Sequence, residues 1–130
     1  MWLMSETGFV SAVTHWEDPE IIVVRARDYD SLLPIADFAE KVIQHTPEND
    51  YPIRVEVPRS VFAEWVAKQV ETMTYSNYKD RVYTTRGRDY AHTLGDVWST
   101  MHQIETARYP EQAERKGLEN QYHDAMYGGY

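Results

Sequence analysis

IIVVRARDYDSLLPIADFAEKVI, residues 21–43, changes its hydrophobic period halfway along. Ile21 to Val24 are β-branched at four consecutive positions, and with Arg25-Ala26-Arg27 they read as a central strand. After Arg27 the period lengthens. Leu32, Ile35, Ala36, Ala39, Val42 and Ile43 recur at helical spacing, with Glu40 and Lys41 off the stripe. Asp30 is the expected N-cap of a helix over 31–43, and Pro34 falls in its first turn, where its missing N–H does no harm. A strand feeding directly into a helix sets the fold class, and the flanking segments complete it.

Upstream, Trp2-Leu3-Met4 and Phe9 to Val13 flank Ser5-Glu6-Thr7-Gly8, a turn with glycine where a positive φ is needed. A second break at Glu17-Asp18-Pro19-Glu20 precedes the strand at Ile21. Downstream, His45 to Asp50 read as a plain loop. Residues 53–57 then alternate strictly, with Ile53, Val55 and Val57 on one face and Arg54 and Glu56 on the other. Ser60 is the expected cap of a helix over 61–73 with the stripe Phe62, Trp65, Val66, Val70 and Met73. Asn77 is placed to cap a short helix over 78–83, with Tyr78 and Val82 toward the core. Residues 84–88 read as a flexible basic loop, and 89–108 as a helix with Tyr90, Leu94, Val97, Trp98, Met101 and Ile104 on its stripe. The expected fold is α+β, in the order ββ(β)-α-β-α-α: a small antiparallel sheet, a meander plus one further strand, with about three helices on one face. One compact domain is expected over 1–108. Residues 109–130, polar and carrying Leu118, Tyr122 and Met126, are expected to form a tail that is a marginal helix or partly disordered.

At 130 residues the chain suits one domain. It has no cysteine, which removes disulfides and thiolate chemistry. No apolar run approaches the roughly 20 residues of a membrane helix, and the start MWLMSETGF lacks the pattern of a signal peptide, so the expected setting is cytoplasmic. Net charge is −8, from 21 acidic and 13 basic residues, which disfavours the phosphate backbone of nucleic acid as a general partner. Ten Tyr and four Trp supply amphipathic rings of the kind that dominate protein interfaces.

The chain lacks a phosphate-cradling glycine loop, HExxH and GxSxG, and no catalytic set, metal site or cofactor is assigned. Asp89, His92 and Asp96 share one face of the last helix at ligand-like spacing, but they also form the solvated side opposite Leu94 and Trp98. Arg25, Arg27, Arg54 and Lys79, with Asp80 beside them, are the candidate ligand-binding residues. Should the two strands be neighbours, Arg25 and Arg27 share a face that Arg54 can join, and paired guanidinium groups bind a carboxylate or phosphate bidentately. The competing reading pairs these cations with Glu56, Asp28 or Asp80. Tyr83, Arg86 and Arg88 are the candidate partner contacts.

Met1-Trp2, Gly8-Phe9-Val10-Ser11, Val24-Arg25-Ala26-Arg27, Asp50-Tyr51-Pro52-Ile53-Arg54, Tyr75-Ser76-Asn77-Tyr78-Lys79 and Val97-Trp98-Ser99-Thr100-Met101 together resemble a family of small uncharacterised actinobacteriophage and bacterial proteins. The resemblance spans about residues 1–105 and implies a phage or bacterial cytoplasmic setting, with no established activity to carry over. The leading functional expectation is a non-enzymatic accessory protein that binds a host or phage protein. The alternative is a protein or enzyme for a nucleotide or phosphorylated metabolite, using the basic cluster with Asp80 or His92 as acid or base. A further alternative is single-stranded nucleic acid stacked on Tyr78, Tyr83 and Tyr90.

Overall fold

Five strands form one sheet in the spatial order β1-β2-β3-β5-β4, antiparallel throughout. The computed structural model describes residues 1–108, so the expected tail at 109–130 lies outside the described residues. In chain order the elements are β1 (Trp2–Ser5), β2 (Gly8–Thr14), β3 (Ile21–Ala26), α1 (Tyr29–Ala39), β4 (Gln44–His45), β5 (Ile53–Pro58), α2 (Arg59–Glu71), α3 (Tyr78–Arg86) and α4 (Arg88–Arg108). The α+β class agrees with the sequence reading, and the elements follow the expected order with β4 added. The chain divides into two compact units, Met1–Ser76 and one beginning at Asn77.

In the first unit, β1 and β2 make a two-residue hairpin closed by the pair Ser5↔Gly8, with Gly8 at φ 138°. Alternation then sorts the sheet into two faces. Val10, Ala12, Ile22, Val24, Ala26, Ile53, Val55 and Val57 point to one side, where Leu32, Ile35 and Ala36 of α1 and Phe62 and Trp65 of α2 bury them. Val24, Leu32, Ile35, Val55 and Val57 are fully buried, and each such aliphatic side chain stabilises the fold by about 1.5–3 kcal/mol. The other face carries Ser11, Val13, Val23, Arg25, Arg54 and Glu56.

Several boundaries differ from the sequence reading. The first helix spans 29–39 rather than 31–43. Asp28 is its extended N-cap residue (φ −142°), in place of Asp30, and the Ser31 hydroxyl donates to the Asp28 carboxylate. At the far end Glu40 adopts the left-handed conformation (φ 55°, ψ 45°), so its N–H and that of Lys41 turn back on the helix carbonyls. That turn ends the apolar stripe early and leaves Val42 85% exposed. The expected loop from His45 instead begins with β4, whose Gln44 and His45 pair with Arg54 and Ile53. The second helix starts at Arg59, straight after Pro58, rather than from a Ser60 cap, and ends at Glu71. Of its expected stripe Phe62 and Trp65 are buried, whereas Val70 and Met73 are exposed.

In the second unit Asn77 caps α3 as expected, its Oδ1 accepting the Asp80 N–H at 3.1 Å. The expected loop over 84–88 is a correction: α3 runs on to Arg86, and Gly87 alone separates it from α4. Gly87 has φ 89° and ψ 174°, a region essentially restricted to glycine, which explains how a single residue divides one helix from the next. Val82, Ala91 and Leu94 are buried, while Trp98, Met101 and Ile104 of the expected stripe are exposed.

Candidate binding face

The pairing register builds the site. Trp2 lies opposite Ser11, Ser11 opposite Arg25, Arg25 opposite Arg54, and Arg54 opposite Gln44. Directly opposed residues of antiparallel strands share a face, so these five side chains form one row across the sheet, on the side away from α1 and α2. Trp2 is 70% exposed at one end of the row, its ring edge-on to Phe9 at 5.3 Å.

Arg25 is the best-held member. Its Nη2 donates to the buried Ser11 hydroxyl at 2.7 Å, and its Nη1 lies 3.6 Å from the Asp50 carboxylate. The Arg25 Nε is buried and has no acceptor, an arrangement that costs about 1–3 kcal/mol. Beneath it sits Tyr51, a buried ring faced by two guanidinium groups, Arg25 at 4.7 Å and Arg27 at 4.4 Å from its centroid. Each such contact contributes about 0.5–2 kcal/mol. The Arg27 Nη1 also donates to the Asp50 carbonyl at 2.9 Å.

Thr46 fastens the loop that carries Tyr51. Its N–H donates to the Pro52 carbonyl at 2.7 Å and its hydroxyl to the Tyr51 carbonyl at 2.9 Å. The same hydroxyl accepts the Arg54 Nε at 3.1 Å. Both terminal nitrogens of Arg54 are left without an acceptor among the described residues. Among the described residues the one carboxylate that meets these arginines, Asp50, has a side chain 67% exposed, and an ion pair of that kind contributes little. Three guanidinium groups against one solvated carboxylate leave the patch positive, although the chain as a whole is at −8. Two arginines directly opposed in a ladder also repel, at a cost of about 0.2–1 kcal/mol.

Glu56, on the same face, is committed elsewhere, with its carboxylate 3.1 Å from His15 Nε2. The His15 Nδ1 accepts the backbone N–H groups of Glu17 and Asp18 at 3.1 and 3.3 Å. Its ring proton is therefore assigned to Nε2, directed at Glu56. Nδ1 closes the β2–β3 turn and Nε2 meets Glu56 of β5, with the ring stacked on Trp16.

Of the candidate ligand residues, the structure brings together Arg25, Arg27 and Arg54. Lys79 and Asp80 belong to the second unit. There Lys79 Nζ lies 4.4 Å from the centroid of the Trp98 ring, and the Asp80 N–H is taken by the Asn77 cap. The acid beside the strand arginines is Asp50, not the expected Glu56, Asp28 or Asp80. Among the partner-contact candidates, Tyr83 and Arg88 are exposed and Arg86 covers the Tyr90 ring at 3.7 Å. Asp89, His92 and Asp96 form no group able to hold a metal ion among the described residues. The sequence reading missed Ser11, Thr46, Asp50 and Tyr51 as members of the site. The signal for the last two was the compact run Asp50-Tyr51-Pro52-x-Arg54.

No protein-family model matches the chain, and a search of curated proteins and of solved structures likewise finds nothing that matches it. Among the described residues no helix is long and apolar enough to cross a membrane.

Proposed function

We propose that this chain is a non-enzymatic protein-binding module whose sheet face, from Trp2 through Arg25 and Arg27 to Arg54, captures an acidic or phosphorylated segment of a partner protein. The observation that carries this reading is the row Trp2–Ser11–Arg25–Arg54 with its two opposed arginines. A like-charged pair costs stability in the isolated protein, and an anion laid across it removes that cost. Tryptophan and arginine are also the residue types that dominate binding energy at interfaces. A sheet face suits an extended segment, with the Arg54 terminal nitrogens available for a bidentate carboxylate or phosphate. Against an enzymatic role stands His15, the histidine of this face, whose two nitrogens are already engaged. A phage or bacterial cytoplasmic setting belongs to the same proposal and rests on the motif resemblance alone.

The test is a thermal-shift titration with acidic peptides, phosphopeptides, nucleotides and phosphorylated metabolites. A ligand at 100 times its Kd adds about 2.7 kcal/mol to stability. The proposal expects shifts with acidic or phosphorylated peptides that vanish in Arg25→Gln and Arg54→Thr. A shift confined to nucleotides would instead favour a small-ligand protein, and no shift with any probe would overturn the assignment of the face.

A further inference from the structure

The helix-covered side of the sheet holds a second feature with a different chemistry. A pocket of about 570 Å³ opens between the start of α2 and the ends of β2 and β3. This volume lies within the range typical of small-molecule sites, about 300–1,000 Å³. Its walls are apolar, formed by Ala12, Ile22, Phe62, Ala63, Val66 and Ala67. Arg59, Thr14 and Met1 also line it, the Met1 ammonium donating to the Ala12 carbonyl at 2.8 Å, and no carboxylate does.

Arg59 is held in place by the β2–β3 turn. Its Nε and Nη2 donate to the Pro19 carbonyl at 2.9 and 2.7 Å, and Nη2 also reaches the Thr14 hydroxyl at 3.0 Å. The Arg59 N–H donates to the Glu20 carbonyl at 2.7 Å. The Nη1 group donates to no acceptor among the described residues. The guanidinium is thus fixed by three hydrogen bonds to neutral oxygens, with its charge uncompensated by any carboxylate of the lining. Such a cation is ready to bind without first giving up an ion pair or losing rotamer freedom.

We infer that this pocket binds a small amphipathic carboxylate, whose apolar chain lies along Ile22, Phe62 and Val66 and whose carboxylate is met by Arg59. A purely apolar occupant would leave Arg59 unused, and an extended polar ligand would find almost no hydrogen-bonding partners on these walls. The pocket shares no lining residue with the row Trp2, Ser11, Arg25 and Arg54, and its Ala12 and Ile22 belong to the core side of β2 and β3.

The experiment is an NMR titration of the whole protein with decanoate and, as the uncharged counterpart, decan-1-ol, both below their aggregation limits. The expected result is saturable decanoate binding, with the largest amide shifts at Ala12, Ile22, Ala63 and Ala67 and an affinity at least tenfold above that for decan-1-ol. Ala63→Leu, which fills the pocket from an exposed position on α2, is expected to abolish binding. Arg59→Gln is expected to erase the preference for decanoate, and Arg59→Lys to keep most of it. Equal affinity for the two probes, shifts centred elsewhere, or undiminished binding in Ala63→Leu would each overturn the inference. Should Arg59→Gln unfold through loss of the turn contacts, the comparison of probes and Ala63→Leu still decide the outcome.

Discussion

Arg54 faces Arg25 across the ladder with both its terminal nitrogens unoccupied, so its side chain adds charge to the sheet and little stability. Arg54→Thr removes the repulsion and installs a good strand former, at the loss of one hydrogen bond to Thr46. The expected outcome in urea denaturation is stability unchanged or raised, by up to about 1 kcal/mol, while binding of an acidic peptide is lost. A strongly destabilised variant that still binds would show the arginine to be structural. His15 gives a second prediction at this scale. With two backbone N–H groups donating to Nδ1, the ring is expected in the Nε2–H tautomer, readable from long-range ¹H–¹⁵N correlations. An Nδ1–H signal would contradict the turn geometry. Arg54 was visible in the sequence as a polar residue on the solvated face of a strand. What it touches depends on which strand pairs with which, and residue spacing along one segment carries no such information.

Helix ends obey local conformation more than hydrophobic period. The stripe from Leu32 continues in sequence through Val42 and Ile43, yet the helix stops at Ala39 because Glu40 takes the left-handed conformation. That conformation costs a residue with a Cβ about 1–2 kcal/mol, some of which a glycine returns as chain entropy lost on folding. Glu40→Gly is therefore expected to stabilise the protein by about 0.5–1 kcal/mol in thermal or urea denaturation. Gly87 works in the opposite sense. A Cβ there would meet nothing within 4 Å, so the cost of Gly87→Ala is purely that of its backbone region, about 1–3 kcal/mol. Circular dichroism should show the loss as a lowered melting midpoint; an unchanged midpoint would mean that the joint between α3 and α4 can adopt another geometry. The Asn77 cap was legible because its chemistry is local. The continuation of α3 to Arg86 was not, since Thr84 and Thr85 are weak helix formers and no apolar stripe announces it.

The two units of the chain differ in how much apolar surface they bury. The first gathers thirteen buried residues into one cluster, whereas Val82, Ala91 and Leu94 are the buried hydrophobic side chains described in the second. Amide exchange is therefore expected to be slowest in β3, which is paired on both sides, and in its partner β5, with α3 and α4 exchanging earlier. Equal protection across both units would mean that they open together as one. By itself the sequence determined the α+β class, the order of the main elements, the apolar face of β5 and the Asn77 cap. These follow from periodicity and from side-chain chemistry acting over a few residues. Only the tertiary structure decided that β3 pairs with β5, which puts Arg25 against Arg54, that Asp50 and Tyr51 come to lie with the arginines, and that α2 leaves an apolar pocket beside Arg59. Those outcomes depend on strand register and on helices docking across the sheet, where the positions that meet lie far apart in the chain.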